Sequence, residues 1–219
     1  MYELLIIAVF GAVAYRAFQI DENQAEDLTH KISGRVGRLW DIVHQGMREN
    51  RLVRAEKALL AILKIDEKNA AAYNRLGILY AKQKEYKDAI DCFEIACSIE
   101  PSASSLHNLG LIYYETENYE RAVTAFEEAL KLEDDMAARH IALAKALEYM
   151  GNDKLMITHL EKAVEIEPTR ESYKLLIDAY RKTNEVEKAD ILEDKLSKLI
   201  TSSATKKRFR VQRAKRVVI

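Results

Sequence analysis

The 219-residue chain carries only seven glycines and two prolines, too little punctuation for a fold of many short strands. Hydrophobic residues make up 48% and charged residues 32%, the balance of amphipathic helices that each hide one face. The formal net charge of −1 conceals an asymmetry: residues 201–219 hold seven Lys or Arg and no Asp or Glu, leaving the body at 27 basic against 35 acidic residues, a net of −8. An acidic body argues against a fold built on nucleic acid, because phosphate binding needs clustered positive charge.

The first element, Leu4 to Tyr15, is uncharged and almost wholly apolar, with no polar face. Its strict run is shorter than the ~20 residues a bilayer requires, but residues 1–20 reach that length if Glu3 and Arg16 sit at the two interfaces. We read residues 1–20 as a single-pass membrane anchor. Positive charge follows the run, at Arg16, Lys31, Arg35 and Arg38, which places the body in the cytoplasm. A cleaved signal peptide and a helix packed on the body compete with this reading. Against cleavage, Glu3 stands where a signal peptide carries Lys or Arg. Residues 21–35 read as a polar spacer.

From there the chain returns to the same residues every 33 or 34 positions. Tyr73, Leu76, Gly77, Tyr80, Ala89, Phe93, Ala96 and Pro101 recur, each shifted by 33, as Leu106, Leu109, Gly110, Tyr113, Ala122, Phe126, Ala129 and Asp134. Thirty-four further on stand Leu143, Ala144, Leu147, Leu160, Ala163 and Pro168. A degenerate unit follows with Tyr173, Leu176, Tyr180, Ala189 and Leu196, and a divergent one precedes with Leu39, Ile42, Ala55, Leu59 and Ile62. Each unit has two apolar-periodic stretches split by a polar break, as at Gln83-Lys84-Glu85 or Gly151-Asn152, which spells a helical hairpin. Gly77, Gly110 and Ala144 mark close approach of the first helix to the second, and Pro101 and Pro168 end second helices.

This pattern of an aromatic, Leu-Gly, Tyr, then Ala, Phe, Ala and a closing Pro resembles the tetratricopeptide repeat family. The resemblance covers residues 36–200, in units of about 36–69, 70–102, 103–136, 137–169 and 170–200, and is nearly complete in the second and third. It implies an all-α fold, a right-handed superhelix of antiparallel helical hairpins.

In such an array the first helices line the concave side. The register assigns to that groove Trp40 and His44, then Asn74, Ile78 and Ala81, then His107, Leu111 and Tyr114, then Ile141, Lys145 and Glu148, then Lys174, Asp178 and Arg181. Their mixture of apolar, aromatic and basic groups suits a peptide better than a small metabolite. The carboxylate clamp of some family members is not reproduced, since Ala71, Asn74 and Ile78 precede Asn108, and Ala138, Ile141 and Ala142 follow it.

The last element, residues 201–219, opens on a small polar stretch, Thr201 to Thr205, read as a hinge before a flexible basic tail. The tail carries Lys206, Lys207, Arg208, Arg210, Arg213, Lys215 and Arg216; anionic lipid and nucleic acid are its candidate ligands. The two cysteines, Cys92 and Cys97, diverge on one helix and are not expected to pair. No phosphate loop, metal-binding helix or nucleophile elbow occurs, and the five histidines fall in different units, so neither an enzyme nor a cofactor is expected. The reading is a non-catalytic, membrane-tethered scaffold that binds a partner protein or peptide in its groove; the alternative is an RNA- or ribosome-associated factor acting through the tail.

Overall fold

The computed structural model describes residues 29–215, with side chains over 29–201. The elements in order are α1 over residues 29–48, α2 (Leu52–Leu63), α3 (Ala70–Gln83), α4 (Tyr86–Ile99), α5 (Ala103–Glu115), α6 (Tyr119–Leu132), α7 (Ala137–Tyr149), α8 (Asp153–Ile166), α9 (Arg170–Lys182) and α10 (Val186–Lys215). There is no strand among the described residues, so the all-helical expectation holds. The predicted anchor, residues 1–20, lies outside the described residues; among those described, no helix is long and apolar enough to cross a membrane.

Contacts divide inside α3 into two units, one ending at Leu79 and the other beginning at Tyr80. In the first, α1 and α2 form a hairpin whose centre is Val43, Ala55, Leu59 and Ile62, all without solvent exposure. Gly46 allows the approach: a Cβ there would lie 3.1 Å from the Ala55 Cβ. The spacer reading is corrected here, because residues 29–35 are helical and run unbroken into α1. Ile32, Val36, Leu39 and Val43 follow a helical stripe that crosses the assumed boundary.

In the second unit each helix from α4 onward packs on the next in sequence, and α5 also touches α7. Phe93 and Phe126 are only 1% exposed, and the alanines at 89, 96, 122 and 129 are fully buried. Gly110 is required by contact: a Cβ there would stand 2.6 Å from Cδ1 and Cε1 of Phe126. The α4–α5 and α8–α9 connections pass through exposed prolines and then cap, with Ser102 accepting from the Ser105 N–H and Thr169 from that of Ser172.

Every hairpin tip is closed the same way. Asn50, Lys84, Glu117, Gly151 and Asn184 have φ between 55° and 72°, the left-handed region, at intervals of 33 or 34 residues. In each case the next N–H reaches back to the helix it left: Arg51 to Gly46 O at 2.7 Å, Glu85 to Tyr80 O at 2.9 Å, Asn118 to Tyr113 O at 2.8 Å, Asn152 to Leu147 O at 2.9 Å and Glu185 to Tyr180 O at 2.8 Å. This is the Schellman closure, satisfied by backbone alone.

A polar triplet recurs at twice the hairpin period. The Tyr113 hydroxyl donates to Glu94 Oε1 at 2.5 Å while the Arg121 guanidinium stands 5.0 Å from the ring centroid. Sixty-seven residues later the Tyr180 hydroxyl bonds Glu161, and the Lys188 ammonium stands 5.2 Å from its ring. The intervening hairpin has Leu147 at the tyrosine position.

The flexible basic tail is also corrected. Helix α10 continues through the assumed hinge to Lys215, with no Gly or Pro to stop it. The Thr201 hydroxyl turns back on the Ser197 and Lys198 carbonyls, at 3.1 and 2.9 Å.

Candidate functional site: a concavity between α5 and α7

His107, Leu111 and Tyr114 recur at i, i+4 and i+7 on α5, and Ile141 and Lys145 at i and i+4 on α7, so each set forms one helical stripe. The two stripes line a single concavity of about 570 Å³. Ala137, Ala138 and Ala142 leave the space open, Phe126 contributes to the wall, and Glu115, Glu167, Arg170 and Glu171 also line it. Leu111 is exposed and Ile141 half-buried, so apolar surface is offered between charges of both signs.

His107 sits half-buried with its ring 5.5 Å from that of Phe126. Burial, and secondarily the Arg139 guanidinium, push its pKa below the usual imidazole value, so it is neutral at physiological pH. Its Nδ1 is buried and accepts or donates no hydrogen bond among the described residues. Arg139 itself is buried and donates to the Glu133 carbonyl at 3.2 Å and carboxylate at 2.7 Å, which fixes the connection from α6 to α7.

Tyr114 links the concavity to an aromatic cluster. Tyr119 and Tyr149 stack at 4.5 Å with planes 8° apart, and Tyr114 meets them nearly edge-on at 5.7 and 5.6 Å. Burial, then a hydrogen bond with Tyr149, push the Tyr114 phenol up to about 12. Tyr149 remains 61% exposed.

The other assigned positions do not join this site. Lys174, Asp178 and Arg181 line a different concavity, of about 400 Å³, with Glu193, Leu196 and Ile200 of α10. Glu193 replaces the apolar residue of earlier units and draws the Arg181 guanidinium toward α10. Asn74 and Ile78, both half-buried, belong to the first unit. There Trp40 and His44 stack at 5.9 Å, and His44 borders a concavity with Asp41 and Arg75. The tail's basic side chains lie outside the described side chains.

One pair escaped the sequence reading, which left the histidines dispersed. His140 on α7 and His159 on α8 place their Nδ1 atoms 3.1 Å apart, and His140 Nε2 lies 3.1 Å from the Asp134 carbonyl. The carbonyl only accepts, so Nε2 carries the His140 proton and His159 Nδ1–H donates to the free His140 nitrogen. Burial and His140 lower the His159 pKa. The signal was available: His107 faces Phe126 across the same interval of nineteen residues, one repeat earlier. Cys92 and Cys97 are free; burial, reinforced by Asp88 and Asp91, pushes the Cys92 thiol up to about 11, so it stays protonated. Among the described residues no group of three or more His, Cys, Asp or Glu could hold a metal ion.

Models of the tetratricopeptide repeat match residues 70–102, 103–135 and 137–170. No curated protein matches the chain in sequence. Among solved structures, MamA is similar with 21% identity and a TM-score of 0.70, over 78% of this chain and 94% of that one. A fragment of MamA from Desulfovibrio magneticus RS-1, residue 41 to the end, is 16% identical with a TM-score of 0.69, over 77% and 96% of the two chains. YrrB, described as a tetratricopeptide repeat protein with an unusual peptide-binding site, is 22% identical with a TM-score of 0.61, over 70% and 80%. At these identities the likeness is one of fold.

Proposed function

From the tetratricopeptide repeats that this chain carries across residues 70–170, we propose a non-catalytic scaffold that holds a segment of a partner protein between α5 and α7. The observation that carries it is the convergence of His107, Leu111, Tyr114, Ile141 and Lys145 on one open, mixed-polarity concavity. The peptide-binding site named for YrrB supports the same use of the fold. The apolar residues 1–20 would tether the scaffold to a membrane, with Arg16, Lys31, Arg35 and Arg38 keeping the repeats on the cytoplasmic side.

A photo-crosslinking amino acid at Leu111, which is 38% exposed, tests this in the source cells against the same group at the exposed Thr124 of α6. A discrete protein adduct from position 111, absent from 124 and lost with Lys145→Glu, is expected. No adduct, or equal adducts from both positions, refutes the site.

A second reading rests on the seven basic residues of 201–219, which make the end of the chain a candidate for nucleic acid or anionic lipid. It requires binding that weakens steeply with salt and disappears when residues 206–219 are removed.

A further inference from the structure

We propose, resting on the partner-binding reading above, that the tyrosine cluster at the rim of the concavity receives a basic side chain, arginine or lysine, of the bound segment. The chain shows twice how it treats such a group. Arg121 stands over Tyr113 and Lys188 over Tyr180, each ring bonded through its hydroxyl to a glutamate, at Glu94 and Glu161. A carboxylate that accepts from the phenol makes the ring more electron-rich, which strengthens its hold on a cation over the face.

At the rim the rings and the acids are present, while no cation of the chain stands over Tyr114, Tyr119 or Tyr149 among the described residues. Glu115 and Glu117 adjoin the rings, act on Tyr114 and Tyr119 respectively, and form no ion pair among the described residues. Helices α5 and α7 end here, at Glu115 and Tyr149, and neither carries a basic residue in its last turn to offset the negative pole of its dipole. Lys182 pairs with Glu148 and Asp153, at 3.4 and 3.0 Å, and Lys145, one turn before Tyr149, lines the concavity. Tyr149 is 61% exposed, so a side chain arriving along the groove meets ring surface open to solvent. Ring faces, two unpaired carboxylates and two uncompensated helix ends define a site for positive charge, adjacent to the apolar surface of Leu111 and Ile141 that holds the rest of a segment.

The test uses the full chain and an immobilised positional-scanning library of short peptides, with Arg, Lys, citrulline, Gln or Asp fixed at each position in turn. The expected result is a position where Arg or Lys raises retention roughly fivefold to tenfold over citrulline. That preference disappears in Tyr149→Leu and in Glu117→Gln, while retention of non-basic peptides persists. Both variants alter exposed side chains, and their circular dichroism spectra match the parent's if the fold is unchanged. Peptides retained without any preference for Arg or Lys, or a preference that survives either variant, overturn this inference and leave the concavity as a peptide site. Failure of the parent to retain any peptide overturns both.

Discussion

Replacing Gly110 with alanine measures how tightly the two helices of a hairpin meet. The new Cβ would lie 2.6 Å from Cδ1 and Cε1 of Phe126 and 3.0 Å from Cζ, whereas carbon atoms rest at about 3.5–4.0 Å. Helix or ring must therefore yield by about 1 Å. Phe126 has 1% exposure and is held by its neighbours, so the overpacking costs about 1–3 kcal/mol. Alanine's better helix propensity returns about 0.8–1 kcal/mol, leaving a net loss near ~1 kcal/mol. The next repeat shows the compensation, since Ala144 and Leu160 occupy the positions of Gly110 and Phe126. Phe126→Leu alone should lose roughly 1–2 kcal/mol through its cavity, and the double variant should lose less than the sum by about 1 kcal/mol. Urea denaturation of the four proteins, followed by far-ultraviolet circular dichroism, reads this from the midpoints. A Gly110→Ala midpoint at or above the parent's, or strict additivity of the double variant, refutes the steric account.

At the hairpin tips, Gly151 has φ 72° with nothing within 4 Å of a built Cβ, so Gly151→Ala should cost about 1 kcal/mol from backbone strain alone. Gly151→Asn should cost less than half of that by the same denaturation assay, as Asn tolerates this region and occupies it at Asn50 and Asn184. Between pH 7.5 and 5.5 the urea midpoint should fall, because His107 and His159 have lowered pKa values in the fold and bind protons more readily once unfolded. Stability from these groups is full above the ordinary imidazole range and is lost on acidification through it; His159→Gln should flatten the slope, and a midpoint that rises on acidification contradicts the assignment.

Much of the fold was legible because a 33- or 34-residue period carries both helix register and packing class, as Gly110 against Phe126 shows. The tips were legible only as polar breaks. Asn, Lys, Glu, Gly and Asn share no side-chain chemistry, and the closure they adopt is made by backbone bonds. The α5–α7 stripe was found by register, whereas Lys174, Asp178 and Arg181 were placed with it although they face α10. Register identifies a helix face but not the charge that the following helix presents, here Glu193. The His140–His159 contact required comparing the same interval between repeats rather than searching for a motif.

The Glu–Tyr–cation triplet has a consequence for how an array like this can change length. Excising one hairpin so that Leu147 follows Glu94 at the place of Tyr113 would strand the carboxylate against an aliphatic side chain. Excising residues 95–161 instead brings Tyr180 and Lys188 to those places, and the interhelical triplet is restored. For this interaction the unit that can be removed without breaking a triplet is thus a pair of hairpins, 67 residues long, rather than the single repeat that the helical pattern displays.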